Sequence, residues 1–123
     1  MRMDKTNALK DDLKKVIETV IQAYYCEADK NAAYPYAVFD FRLLSSDSFD
    51  NYILEIEGWD MYKSYSRIDS LFDRLENVLN GFKELNDERI LKIYKSNRAH
   101  QKDENRDIKH VRLVCSMQVI ERS

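Results

Sequence analysis

Glycine and proline are nearly missing from this chain, which has two glycines and one proline among 123 residues. Gly58 and Gly81 stand alone, so no glycine-rich loop can cradle a phosphate, and P-loop chemistry is excluded. Scarce breakers also mean that most residues belong to regular elements joined by short turns. Only two cysteines are present, Cys26 and Cys115, without the close spacing of a metal or redox pair. Both read as buried free thiols of a reducing compartment, a disulfide between them being the lesser alternative. No apolar run reaches the roughly 20 residues of a bilayer-crossing helix, and the first residues lack the apolar stretch of a secretory signal. Basic excess is absent as well: 20 Lys and Arg face 22 Asp and Glu, for a net charge of −2. Nothing here marks the basic stripe of a nucleic-acid binder. The length fits a single domain over residues 1–123 with one core.

The lone proline organises what is present. Pro35 supplies no N–H, so it suits the start of a strand and not its middle. A helix upstream must therefore stop before Tyr34-Pro35-Tyr36. Leu9, Leu13, Val16, Ile17, Val20, Ile21 and Tyr24 recur at helical spacing and predict a helix from about Met3 to Cys26. Tyr36–Leu44 and Tyr52–Trp59 alternate like strands, and the polar cluster Ser45-Ser46-Asp47-Ser48 between them favours an antiparallel pair. A second helix is expected from Arg67 to Asn80, with Ser66 and Asp69 as a capping box and Gly81 at the left-handed closing position. Ile90–Ser96 and Ile108–Glu121 read as the last two strands. Asn97–Asp107 has no aliphatic side chain larger than alanine and reads as a solvated hairpin tip. The expected fold is α+β: two helices on one face of a largely antiparallel four-stranded sheet, in the order α-β-β-α-β-β.

Reactive constellations are few. His100 falls in the expected tip and His110 opens a strand, and neither has the spacing of a closed metal site. Cys115 sits on the apolar side of its strand, which favours packing over nucleophilic chemistry. Glu55 and Glu57 share a strand face with Trp59. A carboxylate pair for acid–base work could look like this, but a wet sheet face or one meeting another subunit is preferred. Tyr34, Tyr36, Tyr52, Tyr62, Tyr65 and Tyr94, with Trp59 and Met61, place amphipathic rings around the sheet, as in protein–protein contacts or in a sheet core. No catalytic residue, metal or cofactor is expected.

Four features together carry a family resemblance. They are the opening helix ending before Tyr34-Pro35-Tyr36-Ala37-Val38-Phe39, and the strand Ile53-Leu54-Glu55-Ile56-Glu57-Gly58-Trp59-Asp60. The short helix Ile68–Leu79 and the closing strands with Arg112 and Leu113–Val119 complete the set. In this the chain resembles the small tail-completion or tail-terminator proteins of long-tailed bacteriophages and prophages. The resemblance implies a structural, non-enzymatic subunit. It would form a ring, of six copies, at the head-proximal end of the tail tube and dock the head connector. The implied partners are other copies of itself, the tail-tube protein and the connector, with DNA passing non-specifically through the lumen. The implied location is the bacterial cytoplasm during assembly and then the virion tail. Another head–tail joining or minor capsid part, or a small protein-binding adaptor, stays open beside it. Partner contacts are expected at Arg98, His100, Lys102 and Arg106 of the tip, and at Trp59 and Tyr62. Deleting residues 98–106 is expected to leave folding intact.

Overall fold

The computed structural model describes residues 5–46, 48–85 and 89–121, the side chain of residue 95 excepted. The helix start assigned above to Met3, and Asp47 of the polar cluster, lie outside the described residues. Within them the chain forms α1 (Lys5–Ile17), β1 (Ala23–Tyr25), β2 (Tyr36–Ser46), β3 (Asp50–Met61), α2 (Ser66–Leu79), β4 (Lys83–Leu85), β5 (Arg89–Gln101) and β6 (Ile108–Glu121). The strands make one mixed sheet of six, in the spatial order β1-β2-β3-β6-β5-β4. β1 runs parallel to β2, and every other pairing is antiparallel.

This corrects the expected four-stranded sheet. Two short strands were missed, one at each edge. β1 comes from the tail of what reads as a single helix. α1 ends at Ile17, Thr19 turns its hydroxyl back onto the Val16 carbonyl at 2.7 Å, and Ala23–Tyr25 pairs with Ala37–Phe39. Apolar residues at helical spacing cannot distinguish a further helical turn from a turn followed by a buried edge strand. β4 is three residues held against Ile90–Lys92. The third expected strand is also longer than predicted. β5 continues through Asn97–Gln101, so the solvated connection shrinks to residues 102–107.

Both helices cover one face of the sheet. Leu9, Leu13 and Ile17 of α1 and Ile68, Phe72, Leu75 and Leu79 of α2 are buried there. They meet Ala37, Phe39, Leu54, Ile56, Leu91, Ile93, Val111, Leu113, Cys115, Met117 and Val119. Fully burying side chains of this kind contributes about 1.5–3 kcal/mol each. The expected Ser66 capping box does not form. Tyr65 is the N-cap and makes no side-chain cap bond, while the Ser66 hydroxyl lies 2.8 Å from that of Ser64. Gly81 does adopt φ +83°, a left-handed position that suits glycine.

Polar ties fix the helices at the sheet's ends. Lys5 pairs with Asp50 at the start of β3, and buried Arg89 pairs with Asp12 of α1. Asp60 is fully buried and receives two bonds from Arg67, Nε to Oδ2 at 2.8 Å and Nη2 to Oδ1 at 2.5 Å. No helix among the described residues is long and apolar enough to cross a membrane.

Candidate functional site

Alternation along the strands leaves the second face of the sheet without a covering layer among the described residues. Its side chains lie in cross-strand rows. The end row is Tyr36, Trp59, His110 and Gln101; the next holds Val38, Glu57, Arg112 and Ala99; the third holds Asp40, Glu55, Val114 and Asn97. These rows are the candidate site.

The end row is an aromatic ladder. Tyr36 stacks on Trp59 with centroids 5.6 Å apart, and Trp59 stacks on His110 at 4.5 Å. Tyr34 extends it at 5.4 Å, and Tyr24 of β1 meets Tyr36 edge-on at 6.1 Å. Ring pairs of this kind contribute beyond their buried area and hold one another's rotamers. Partial burial raises the Tyr36 hydroxyl pKa, the neighbouring tyrosines adding to it. The hydroxyl therefore stays a neutral donor at physiological pH.

Polar pairs tie the end row to the adjoining rows and β6 to β3. His110 Nε2 lies 3.1 Å from Glu57 Oε1, and Arg112 donates to Glu55 Oε1 at 2.8 Å. Glu55 and Glu57 are thus engaged with basic neighbours across the β3–β6 pair. An open hollow of about 230 Å³ follows, lined by Asp40, Phe41, Arg42, Ile53 and Glu55.

The residues expected to contact partners are divided between two faces. Trp59 belongs to the open face, as above. Tyr62 lies just beyond β3, where its N–H donates to the Asp107 carbonyl at 3.0 Å and its ring receives Arg67 at 4.3 Å. Lys102 and Arg106 are exposed on the 102–107 connection at that same end. Arg98 and His100 are not tip residues. They lie within β5 on the helix-covered side: Arg98 reaches Asp73 at 2.6 Å and Glu76 at 3.4 Å, and His100 reaches Asp69 at 2.8 Å. The His100 ring also stacks on Tyr65 at 3.9 Å. Both residues serve to hold α2 on the sheet, so deleting 98–106 would remove part of a strand together with its ties.

The two thiols differ. Cys115 is buried, and burial pushes its pKa up to about 12. Cys26 is exposed, contrary to expectation, at φ 67°, and no disulfide joins them. Its pKa is raised by desolvation and by the Asp40 carboxylate, 3.8 Å from the sulfur. No group of three or more His, Cys, Asp or Glu among the described residues is arranged to hold a metal ion.

Sequence reasoning put Glu55, Glu57, Trp59, His110 and Arg112 on outward strand positions but did not join them. The period-2 alternation shows which side each occupies; only the register shows that Trp59 meets His110 and Glu55 meets Arg112. No family model matches the chain, and no curated protein matches it significantly.

Proposed function

We propose that this protein is a structural assembly subunit that completes the tail of a long-tailed phage or prophage. It forms a ring at the head-proximal end of the tail tube, where it presents a docking surface to the head connector. One observation carries the reading. The two segments on which the resemblance chiefly rests, Tyr34–Phe39 and Ile53–Asp60, are neighbouring strands whose outward residues build one surface, with Tyr36 stacked on Trp59. Aromatic rings flanked by matched charges are the composition of a protein-contacting face. A ring requires two different surfaces that fit each other, because head-to-tail contacts close cyclically. The work done is recognition by shape and charge, with no bond made or broken.

Negative-stain microscopy and sedimentation test this reading. Annuli of uniform diameter are expected at high protein concentration or on addition of tail tubes, with the protein bound at one tube end. A chain that stays monomeric at millimolar concentration and ignores tube ends refutes it.

A further inference from the structure

The two short strands leave the sheet with a notch at each of two diagonally opposite corners. β1 covers β2 only over Ala37–Phe39, so the outer edge of Asp40–Ser46 carries no strand among the described residues. β4 covers β5 only over Ile90–Lys92, and Ile93 exchanges bonds with Phe82 and Gly81, so the outer edge from Tyr94 to Gln101 carries none either. The notches, seven residues on β2 and eight on β5, lie on strands running in opposite directions. The β2 notch holds Leu43 and Leu44, 51% and 57% exposed. Exposed apolar edges are templates for strand addition.

We infer that the β2 notch of one copy pairs antiparallel with the β5 notch of the next, so that one sheet runs continuously through the assembly. This rests on the ring reading above. The occupant is a second copy because the chain itself supplies both halves of the fit. Ala37 N–H donates outward to Gln22 and the Phe39 carbonyl accepts outward from Cys26, so the next outward backbone groups are those of Phe41 and Leu43. Ile93 also turns its backbone outward, opposite Met117. Beyond the bulge, the residues opposite Cys115, Leu113 and Val111 do the same, namely Ser96, Arg98 and His100. Setting Asp40 opposite Gln101 places Phe41 against His100 and Leu43 against Arg98 as hydrogen-bonded pairs. Arg42 then faces Ala99 on the open side. Sidedness and hydrogen-bonding phase agree over the four pairs from Asp40–Gln101 to Leu43–Arg98, and the register shift of β2 between Leu43 and Ser45 ends the match there. The Asp40 carboxylate that now holds the Phe41 N–H at 2.8 Å would give way to the His100 carbonyl. The small Ala99 borders a hollow of about 110 Å³ with Arg98, Gln101 and Arg112, which receives a neighbour's side chain.

The same register fixes the stagger. Gln101 is level with Tyr36 through His110 and Trp59, so each copy sits four residues lower along the strands than the one before. β1 of each copy then continues below the neighbour's β5, and β4 continues above the neighbour's β2. Each copy therefore adds the four strands β2, β3, β6 and β5 to the circumference. Four residues of rise are about 13 Å and four strand widths about 19 Å, which tilts the strands by about 35°. Closed barrels tilt by about 35–45°.

Handedness settles which face is inside. In L-peptides, backbone groups directed left from an upward strand carry side chains on the far face. Ala37 and Phe39 point their side chains at the helices, so β1 lies left of an upward β2 when viewed from the open face. Successive copies step down to the right, and closure makes the strands lean left in that view. This is the right-handed coil of barrels only if the open face lines the lumen and the helices lie outside.

The test uses two full-length variants, Arg42→Cys and Ala99→Cys, each in a Cys26→Ser background. Directly opposed residues of a non-hydrogen-bonded pair have Cα atoms about 4.5 Å apart, within disulfide reach. Mixed and mildly oxidised at assembling concentration, the two are expected to give a covalent dimer at least tenfold more abundant than either variant alone. Cross-linking of one variant with itself would instead reveal a two-fold contact and overturn the proposal. Annuli without cross-links overturn the edge pairing and leave the ring reading standing. Monomers without cross-links overturn both.

Discussion

The ring of Phe72 occupies the space that a side chain on Gly58 would need. A Cβ built on Gly58 would lie 2.3 Å from Phe72 Cε1 and 2.6 Å from Cζ. α2 therefore rests on β3 through a ring seated on bare backbone, on the face opposite Trp59. Gly58→Ala must displace the ring or lift the helix, and overpacking of this sort costs about 1–3 kcal/mol. Urea unfolding should show that loss. Gly58→Ala with Phe72→Leu should be less destabilised than the sum of the two single changes, as contacting residues are coupled.

Arg98 is expected to matter for folding and the hairpin tip is not. Arg98→Ala removes ties to Asp73 and Glu76 from a residue whose side chain is 23% exposed. A loss of about 1 kcal/mol is expected for partly screened pairs. Lys102→Ala and Arg106→Ala, on the exposed connection, should stay within about 0.5 kcal/mol of the parent. Equal effects at all three positions would contradict the placement of Arg98 under α2.

Acid should loosen the junction between α1 and β3. Hydrogen bonds from Lys5 and Ser46, the former the larger effect, hold the Asp50 carboxyl below its usual range. A carboxyl with a depressed folded pKa contributes stability above its unfolded value, near 4, and loses it as pH falls through the folded value. Lys5 is raised, chiefly by the same bond, so its contribution holds below its unfolded value, about 10.4, and fades as pH rises through the folded one. The urea midpoint of the parent should therefore drop more steeply below pH 4 than that of Asp50→Asn.

Thiol titration separates the cysteines. A disulfide-exchange reagent should label Cys26 alone in the native protein and both cysteines in denaturant. Cys115 is buried with its pKa pushed up to about 12. Asp40→Asn removes a carboxylate that raises the Cys26 pKa, so labelling at pH 8 should accelerate through a larger thiolate fraction.

The parts of this fold legible in the sequence are those where periodicity and burial coincide. Val111, Leu113, Cys115, Met117 and Val119 alternate with intervening residues that are polar except Val114, and all five are buried. Leu75 and Leu79 likewise show the buried side of α2 directly. Val20, Ile21 and Tyr24 misled because they suit a helical stripe, while the decisive partner of β1, Ala37–Phe39, comes from a distant strand. Arg98 and His100 misled for the opposite reason. They are polar and read as loop, yet Asp73 and Glu76 satisfy Arg98 and Asp69 satisfies His100 beneath a helix. The candidate site was legible as a set of outward residues on each strand. Its rows were not, because register is set by pairing across the whole sheet.

The irregularity between Tyr94 and Ser96 decides what the last third of β5 does. One supernumerary residue there reverses the parity of everything downstream. In an unbroken strand Ser96, Arg98 and His100 would share Tyr94's side and look away from α2, whose acids would be left without those partners. Shortening the chain by a single residue at this point would invert the strand's far half while changing almost nothing in its composition.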